Sequence, residues 1–178
     1  MTESESKSPL WLFMDTEFAN LDQPDLISIG IVSLDRQHEF YGELPELTWY
    51  RHASAFTLQR VKPLLTGPVF RDDVELAARL GEWIRAISKR CRMVTDAPGF
   101  DWEIVRSLLE CDWPPNLQKQ PRWLLPTEAE KALYYRETGR PPHHALYDAY
   151  ALRKAWQRRG GDPPSQPESR GLATHHNL

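Results

Sequence analysis

Along the chain, the spacing of apolar positions changes period about midway, and each half predicts its own kind of element. The first half is strand-like. Residues 10–18 include Trp11, Leu12, Phe13 and Met14 and close on Asp-Thr-Glu-Phe. Residues 26–34 read Leu-Ile-Ser-Ile-Gly-Ile-Val-Ser-Leu, a β-branched run with small residues between, as a strand covered on both faces requires. Asp35-Arg36-Gln37 forms a tight connection into a third strand over 38–44. These three predict an antiparallel meander.

In the second half the period lengthens to that of helices. Asp72 or Asp73 caps a helix whose Leu76, Leu80, Trp83, Ile84 and Ile87 share one face. A short strand over 92–95 is followed by Asp-Ala-Pro-Gly, a turn, and a helix from 101 to 109. Residues 122–125 can add a strand. Thr127-Glu-Ala-Glu130 is a capping box opening a helix that should stop near Gly139. Pro141-Pro142 interrupt the chain, and 145–159 form a last helix with Ala149, Leu152 and Trp156 facing inward. A meander followed by βα units predicts an α/β fold, a mixed sheet flanked by helices.

Composition narrows this picture. The 178 residues are 40% hydrophobic and 26% charged, enough for one domain with a real core and against global disorder. Residues 1–9 and the Pro/Gly-rich 160–178 have too little apolar content to offset ordering entropy, so they read as flexible tails around a domain at 10–159. A net charge of −3 excludes binding that rests on an overall basic balance, though not a local basic groove. Cys91 and Cys111 are too few for a disulfide scaffold and lack zinc-ligand spacing, which reads them as buried or inert thiols. The start has no signal-peptide core and no apolar run long enough for a membrane span, so the expectation is a soluble, reduced, cytoplasmic protein.

Candidate chemistry sits at the ends of the elements. Asp15 and Glu17, two apart on a strand, leave the same face. Two carboxylates sharing a face repel each other, and a divalent cation relieves them; all-oxygen ligands suit Mg²⁺ or Mn²⁺ rather than zinc. An Asp-x-Glu triplet alone arises about once by chance in a chain of this composition. His143-x-Ala145-x-x-Asp148 is far more specific, expected about 0.03 times. It places a histidine on a loop beside a carboxylate one turn into a helix, where the ring can take a proton from an attacking water. A helix-capping role for His143 and a solvated Asp148 form the bland alternative. Asp101, in the first turn of its helix, is open to two readings, ligand or cap. Asp96, nearer the strand end, is a candidate second-shell partner or alternative ligand. Adjacent His175-His176 read as part of the tail.

Taken in order, Asp15-Thr16-Glu17, Phe100-Asp101 and His143-x-Ala-x-x-Asp148 resemble the three exonuclease motifs of the DEDDh superfamily. The runs Asp-Thr-Glu-Phe and Thr-Asp-Ala-Pro-Gly-Phe-Asp look most like RNase AS-type stand-alone exoribonucleases. The resemblance implies an RNase H-like fold, with Asp15, Glu17, Asp101 and Asp148 as ligands of two ions (Mg²⁺ or Mn²⁺) and His143 as general base. It implies hydrolysis from the 3′ end of single-stranded RNA, with Thr16 (through its backbone) and Phe18 (by stacking) as substrate contacts. For Phe18 a core position competes equally. Relatives often carry an Asn shortly before the Phe-Asp pair, where this chain has Ala97-Pro98-Gly99. A DNA exonuclease and a catalytically silent nucleic-acid adaptor are the alternatives, and a homodimer is left open. Basic residues at Arg153, Lys154, Arg158 and Arg159, or at Arg85, Lys89, Arg90 and Arg92, offer candidate phosphate contacts, with plain solvated faces as the competing reading.

Overall fold

The computed structural model describes residues 8–161, so the tail readings at 1–9 and 160–178, and His175-His176 with them, lie almost wholly outside the described residues. Strands β1 (Leu10–Phe18), β2 (Leu26–Ser33) and β3 (Glu39–Glu43) form the meander. They continue through β4 (Cys91–Thr95) and β5 (Arg122–Trp123) into a five-stranded sheet of order β3-β2-β1-β4-β5. The β1/β2 and β2/β3 pairs are antiparallel, whereas β1/β4 and β4/β5 are parallel. The sheet is mixed, as the switch in apolar period required.

Helices cover both faces. Alternate β1 residues Leu10, Leu12 and Met14 face α2 (Asp73–Ala86) and α3 (Glu103–Leu109), where Leu76, Leu80, Ile84 and Val105 complete the larger core. Phe13, Val32 and Val94 face the other way, onto Ala149, Leu152 and Trp156 of α5 (Ala145–Arg158). Helix α4 (Glu128–Thr138) packs beside α5, and a short α1 (Glu46–Trp49) follows the meander. Two helices begin and end as their capping residues dictate. Asp72 accepts from the Glu75 N–H at 2.8 Å to start α2. Thr127 and Glu130 form the capping box of α4, which stops at Gly139 in the left-handed conformation, φ 70°.

Three differences have local causes. Asp101 is not the start of a regular helix: a wide, π-type turn over Pro98–Trp102 precedes α3, because Pro98 and Gly99 disfavour an ordinary first turn. The last strand is only two residues long, with Trp123 and Leu125 exposed at the sheet edge. Segment 45–65, without clear periodicity, folds as α1 and short irregular turns.

One close approach determines where α5 sits. A Cβ built on Gly30 of β2 would lie 2.2 Å from the Leu146 nitrogen and 2.4 Å from the Ala145 carbonyl carbon. The first turn of α5 therefore rests directly on β2 backbone at the residue that pairs with Asp15. No helix among the described residues is long and apolar enough to cross a membrane.

Candidate metal and active centre

The pleat of β1 puts Asp15 and Glu17 on the face that carries Phe13, towards α5. Gly30 lies opposite Asp15, and the helix seated over it brings Asp148, the fourth residue of α5, to the same sheet end. Asp148 is buried, and both its oxygens have donors. The Tyr135 hydroxyl donates to Oδ1 at 2.6 Å, and the His143 N–H donates to Oδ2 at 3.1 Å. That second bond accompanies an uncommon backbone: His143 has φ 68°, a left-handed conformation for a non-glycine residue just past Pro141-Pro142. The His143 ring stands edge-on to Phe56, ring centres 4.8 Å apart. Its neighbour His144 is instead buried and stacks between Tyr41 and Tyr147.

Asp101 enters from the other side of β1. It is 2% exposed, and three donors hold it. The Thr16 hydroxyl (2.7 Å) and N–H (3.2 Å) donate to Oδ1, and the Thr95 hydroxyl donates to Oδ2 at 2.7 Å. Thr16 is itself buried, with both its donors turned to Asp101. Phe18, half-buried, stacks on Phe100 with ring centres 5.2 Å apart and planes 14° from parallel. Asp96, just after β4, takes the Lys131 ammonium of α4 at 2.5 Å.

Two groups of potential ligand atoms result. One atom each from Glu17, His143 and Asp148 lie within 4.8 Å of one another, and so do one atom each from Asp15, Asp96 and Asp101. The structure thus gathers Asp15, Glu17, Asp96, Asp101, His143 and Asp148 at one end of the sheet, with Thr16 behind Asp101 and Phe18 at the rim.

The electrostatics follow from this crowding. Burial, followed by repulsion from Asp101, Asp148, Glu17 and Asp96, pushes the Asp15 carboxyl well above its ordinary range. Glu17 is raised likewise by burial and by Asp148 and Asp101, with Lys131 opposing. Burial also lifts Asp148, against the Tyr135 hydroxyl, and lifts Asp101 to about 6 despite its two threonine hydroxyls. Burial works against the Lys131 charge, but Asp96, Asp15 and Asp148 more than reverse it, and the ammonium is held charged. Among the described residues Asp15 and Glu17 have no hydrogen-bond donor. Crowded carboxylates without donors are what a bound divalent cation would relieve, so this chain's own residues fit such an ion.

Lys131 and Tyr135 carry no motif. The only sequence signal for them is their four-residue spacing within the capping-box helix, which puts both on one face of α4. The basic faces are largely engaged within the fold. Arg153 donates twice to the Leu34 carbonyl, Lys154 and Arg158 pair with Glu137, and Arg159 pairs with Glu130. Arg85 pairs with Asp112, and Arg92 donates to the Gln120 and Pro121 carbonyls. Cys91 is buried, whereas Cys111 is exposed.

Neither a family model nor a curated protein matches the chain by sequence. Its fold does have a match: the crystal structure of the nuclease domain of 3'hExo, a DEDDh family member, bound to rAMP. The TM-score is 0.57 at 12% sequence identity, over 89% of this chain and 95% of that one. The chain therefore has the α/β, RNase H-like fold of a DEDDh nuclease domain.

Proposed function

We propose that this protein is a metal-dependent 3′→5′ exonuclease that hydrolyses single-stranded RNA from its 3′ end. One observation carries the reading: Asp15, Glu17, Asp101 and Asp148 converge on one sheet end together with His143, in the order of the three motifs. A fold shared with a nuclease domain holding a nucleoside monophosphate supports it. The Asp-Thr-Glu-Phe and Thr-Asp-Ala-Pro-Gly-Phe-Asp runs support the narrower RNase AS-type placement, acting in the cytoplasm on the domain at 10–159.

The four acids would hold two Mg²⁺ or Mn²⁺ ions. Such ions offset phosphate charge and lower the pKa of water, making a nucleophile available near neutral pH. The chain's own residues do the rest. His143 accepts the proton of the attacking water as the new P–O bond forms. The bond from phosphorus to the 3′ oxygen of the preceding nucleotide breaks, that oxygen is protonated, and a nucleoside 5′-monophosphate leaves. The His143 N–H to Asp148 contact fixes where the ring starts, and the face of Phe56 limits its swing. Thr16 and Thr95 lock the Asp101 rotamer, so that an acid in an otherwise irregular turn keeps its position. Phe18, backed by Phe100, offers an aromatic surface for the terminal base.

The test uses 5′-labelled RNA and DNA oligomers with Mg²⁺ or Mn²⁺, beside Asp15→Ala. A ladder shortening from the 3′ end of RNA, absent in D15A and with chelator, is expected. Cleavage of DNA alone would overturn the RNA preference, and cleavage of neither would leave a silent binding module.

A further inference from the structure

Lys131 differs from the other basic side chains in where it puts its charge. Its ion pair with Asp96 is well shielded, the two side chains being 19% and 15% exposed, against 31% and 22% for Arg159 and Glu130 on the neighbouring surface. The Asp96 carboxylate is also one of three whose oxygens come within 4.8 Å of one another, with Asp15 and Asp101. A fixed ammonium therefore sits on one of the two acid groups. The other group, Glu17, His143 and Asp148, has neutral donors on Asp148, a tyrosine hydroxyl and a backbone N–H.

We propose that Lys131 is a positioning residue that makes the two groups unequal. It holds Asp96 as its own counter-ion and keeps a divalent cation off the Asp15–Asp96–Asp101 side. Without nucleic acid the protein then takes up one divalent ion, on the Glu17–His143–Asp148 side. A second enters when a substrate phosphate adds negative charge. This rests on the metal-dependent reading above and adds to it an order of filling. The physical basis is repulsion between a divalent ion and an ammonium that share a carboxylate, in a partly dry site where the interaction is screened far less than in water. The same ammonium lies near Asp15, Glu17 and Asp148, so the metal-free site keeps some counter-charge.

The experiment counts ions rather than turnover. Full-length protein stripped by chelator is titrated with MnCl₂ alone, followed calorimetrically and by the loss of free-Mn²⁺ paramagnetic signal. Wild type is expected to bind one ion per chain. Lys131→Met should bind two, the second at least about tenfold tighter than any second ion on wild type. Lys131→Arg, which keeps the charge, should return to one, and so should the double variant K131M/D96N, which removes the freed ligand. Two ions of equal affinity on wild type, or an unchanged count in K131M, would overturn the proposal while leaving the metal-dependent reading intact. A wild type that binds no Mn²⁺ would sink both. If K131M does not fold without metal, wild type and K131R still decide, because either one binding two equal ions refutes the idea.

Discussion

Asp101 offers a stability measurement whose sign and size both follow from its surroundings. Its carboxyl is almost fully buried and rises from an ordinary 3.8 to about 6. A difference of about two pH units corresponds to about 3 kcal/mol between the protonated and ionised forms. The folded state binds the proton more tightly than the unfolded chain, so stability must fall as pH rises between those two values. Below about pH 4 the group costs nothing, and above about pH 6 the whole cost is present. Asp15, Glu17 and Asp148 shift the same way and steepen the fall. Buried His144 is displaced downward by desolvation and works with the opposite sign, so the contribution of Asp101 is read by difference. For a domain of this size, 3 kcal/mol moves the melting temperature by roughly 6 to 12 °C. Metal-free protein is melted from pH 4.5 to 7.5 in chelator, beside Asp101→Asn, which keeps the shape and removes the charge. Wild type should lose several degrees across pH 4.5 to 6.5, D101N markedly fewer, and saturating Mn²⁺ should restore about 3 kcal/mol at 100 times its Kd. A metal-free melting temperature that is flat or rises over that range, or a D101N slope equal to wild type, would refute the reasoning.

Further outcomes are as specific. Tyr135→Phe removes the 2.6 Å donor on Asp148 and should lower kcat about tenfold with little change in melting temperature, as steady-state assays on RNA would show. Gly30→Ala puts a methyl group 2.2 Å from α5 backbone, so it should destabilise by about 3 kcal/mol or more and abolish cleavage; a denaturant titration with an unchanged midpoint would contradict the seating of α5 on β2. His143→Gln should cut kcat by roughly 10²–10⁴ while the Mn²⁺ midpoint moves far less, separating proton transfer from ion binding. Phe18→Ala, which removes the face stacked on Phe100, should raise KM more than it lowers kcat.

What could be read from the sequence tracks what is local. The meander, the α2 cap at Asp72 and the α4 capping box are each written in a few neighbouring residues, and all three form. So is the pairing of Asp15 with Glu17 on one face, since strand pleat alone fixes it. The wide turn at Pro98–Trp102 was not legible, because a proline and a glycine mark a break without fixing its hydrogen-bond span. Nor was Lys131. A lysine four residues before a tyrosine is ordinary on an exposed helix, and only packing of α4 beside α5 turns that face towards Asp96 and Asp148. The basic patches misled for the same reason, since their partners Glu137, Asp112 and the Leu34 carbonyl are distant in sequence.

Hydrogen bonding divides the clustered acids into two kinds, and the division says what each can do. Asp101, Asp148 and Asp96 are each tied to donors that fix their orientation: two threonines, a tyrosine with a backbone N–H, and an ammonium. Asp15 and Glu17 have no donor among the described residues, and they stand on the most regular element of the fold, the central strand of the sheet. Their positions come from backbone pairing with Gly30 and Ser28 rather than from side-chain bonds. Their lone pairs are therefore free while their backbone is the least able to move. A buried carboxylate left in that state is costly by itself, and several together are costlier still. The fold keeps them because sheet pairing and the α5 contact at Gly30 leave them nowhere else to go, so a cation binding there relieves strain the polypeptide cannot relieve by rearranging. That is why metal removal should act first on stability, and why the acids tied to donors, not the free ones, determine where the site can open.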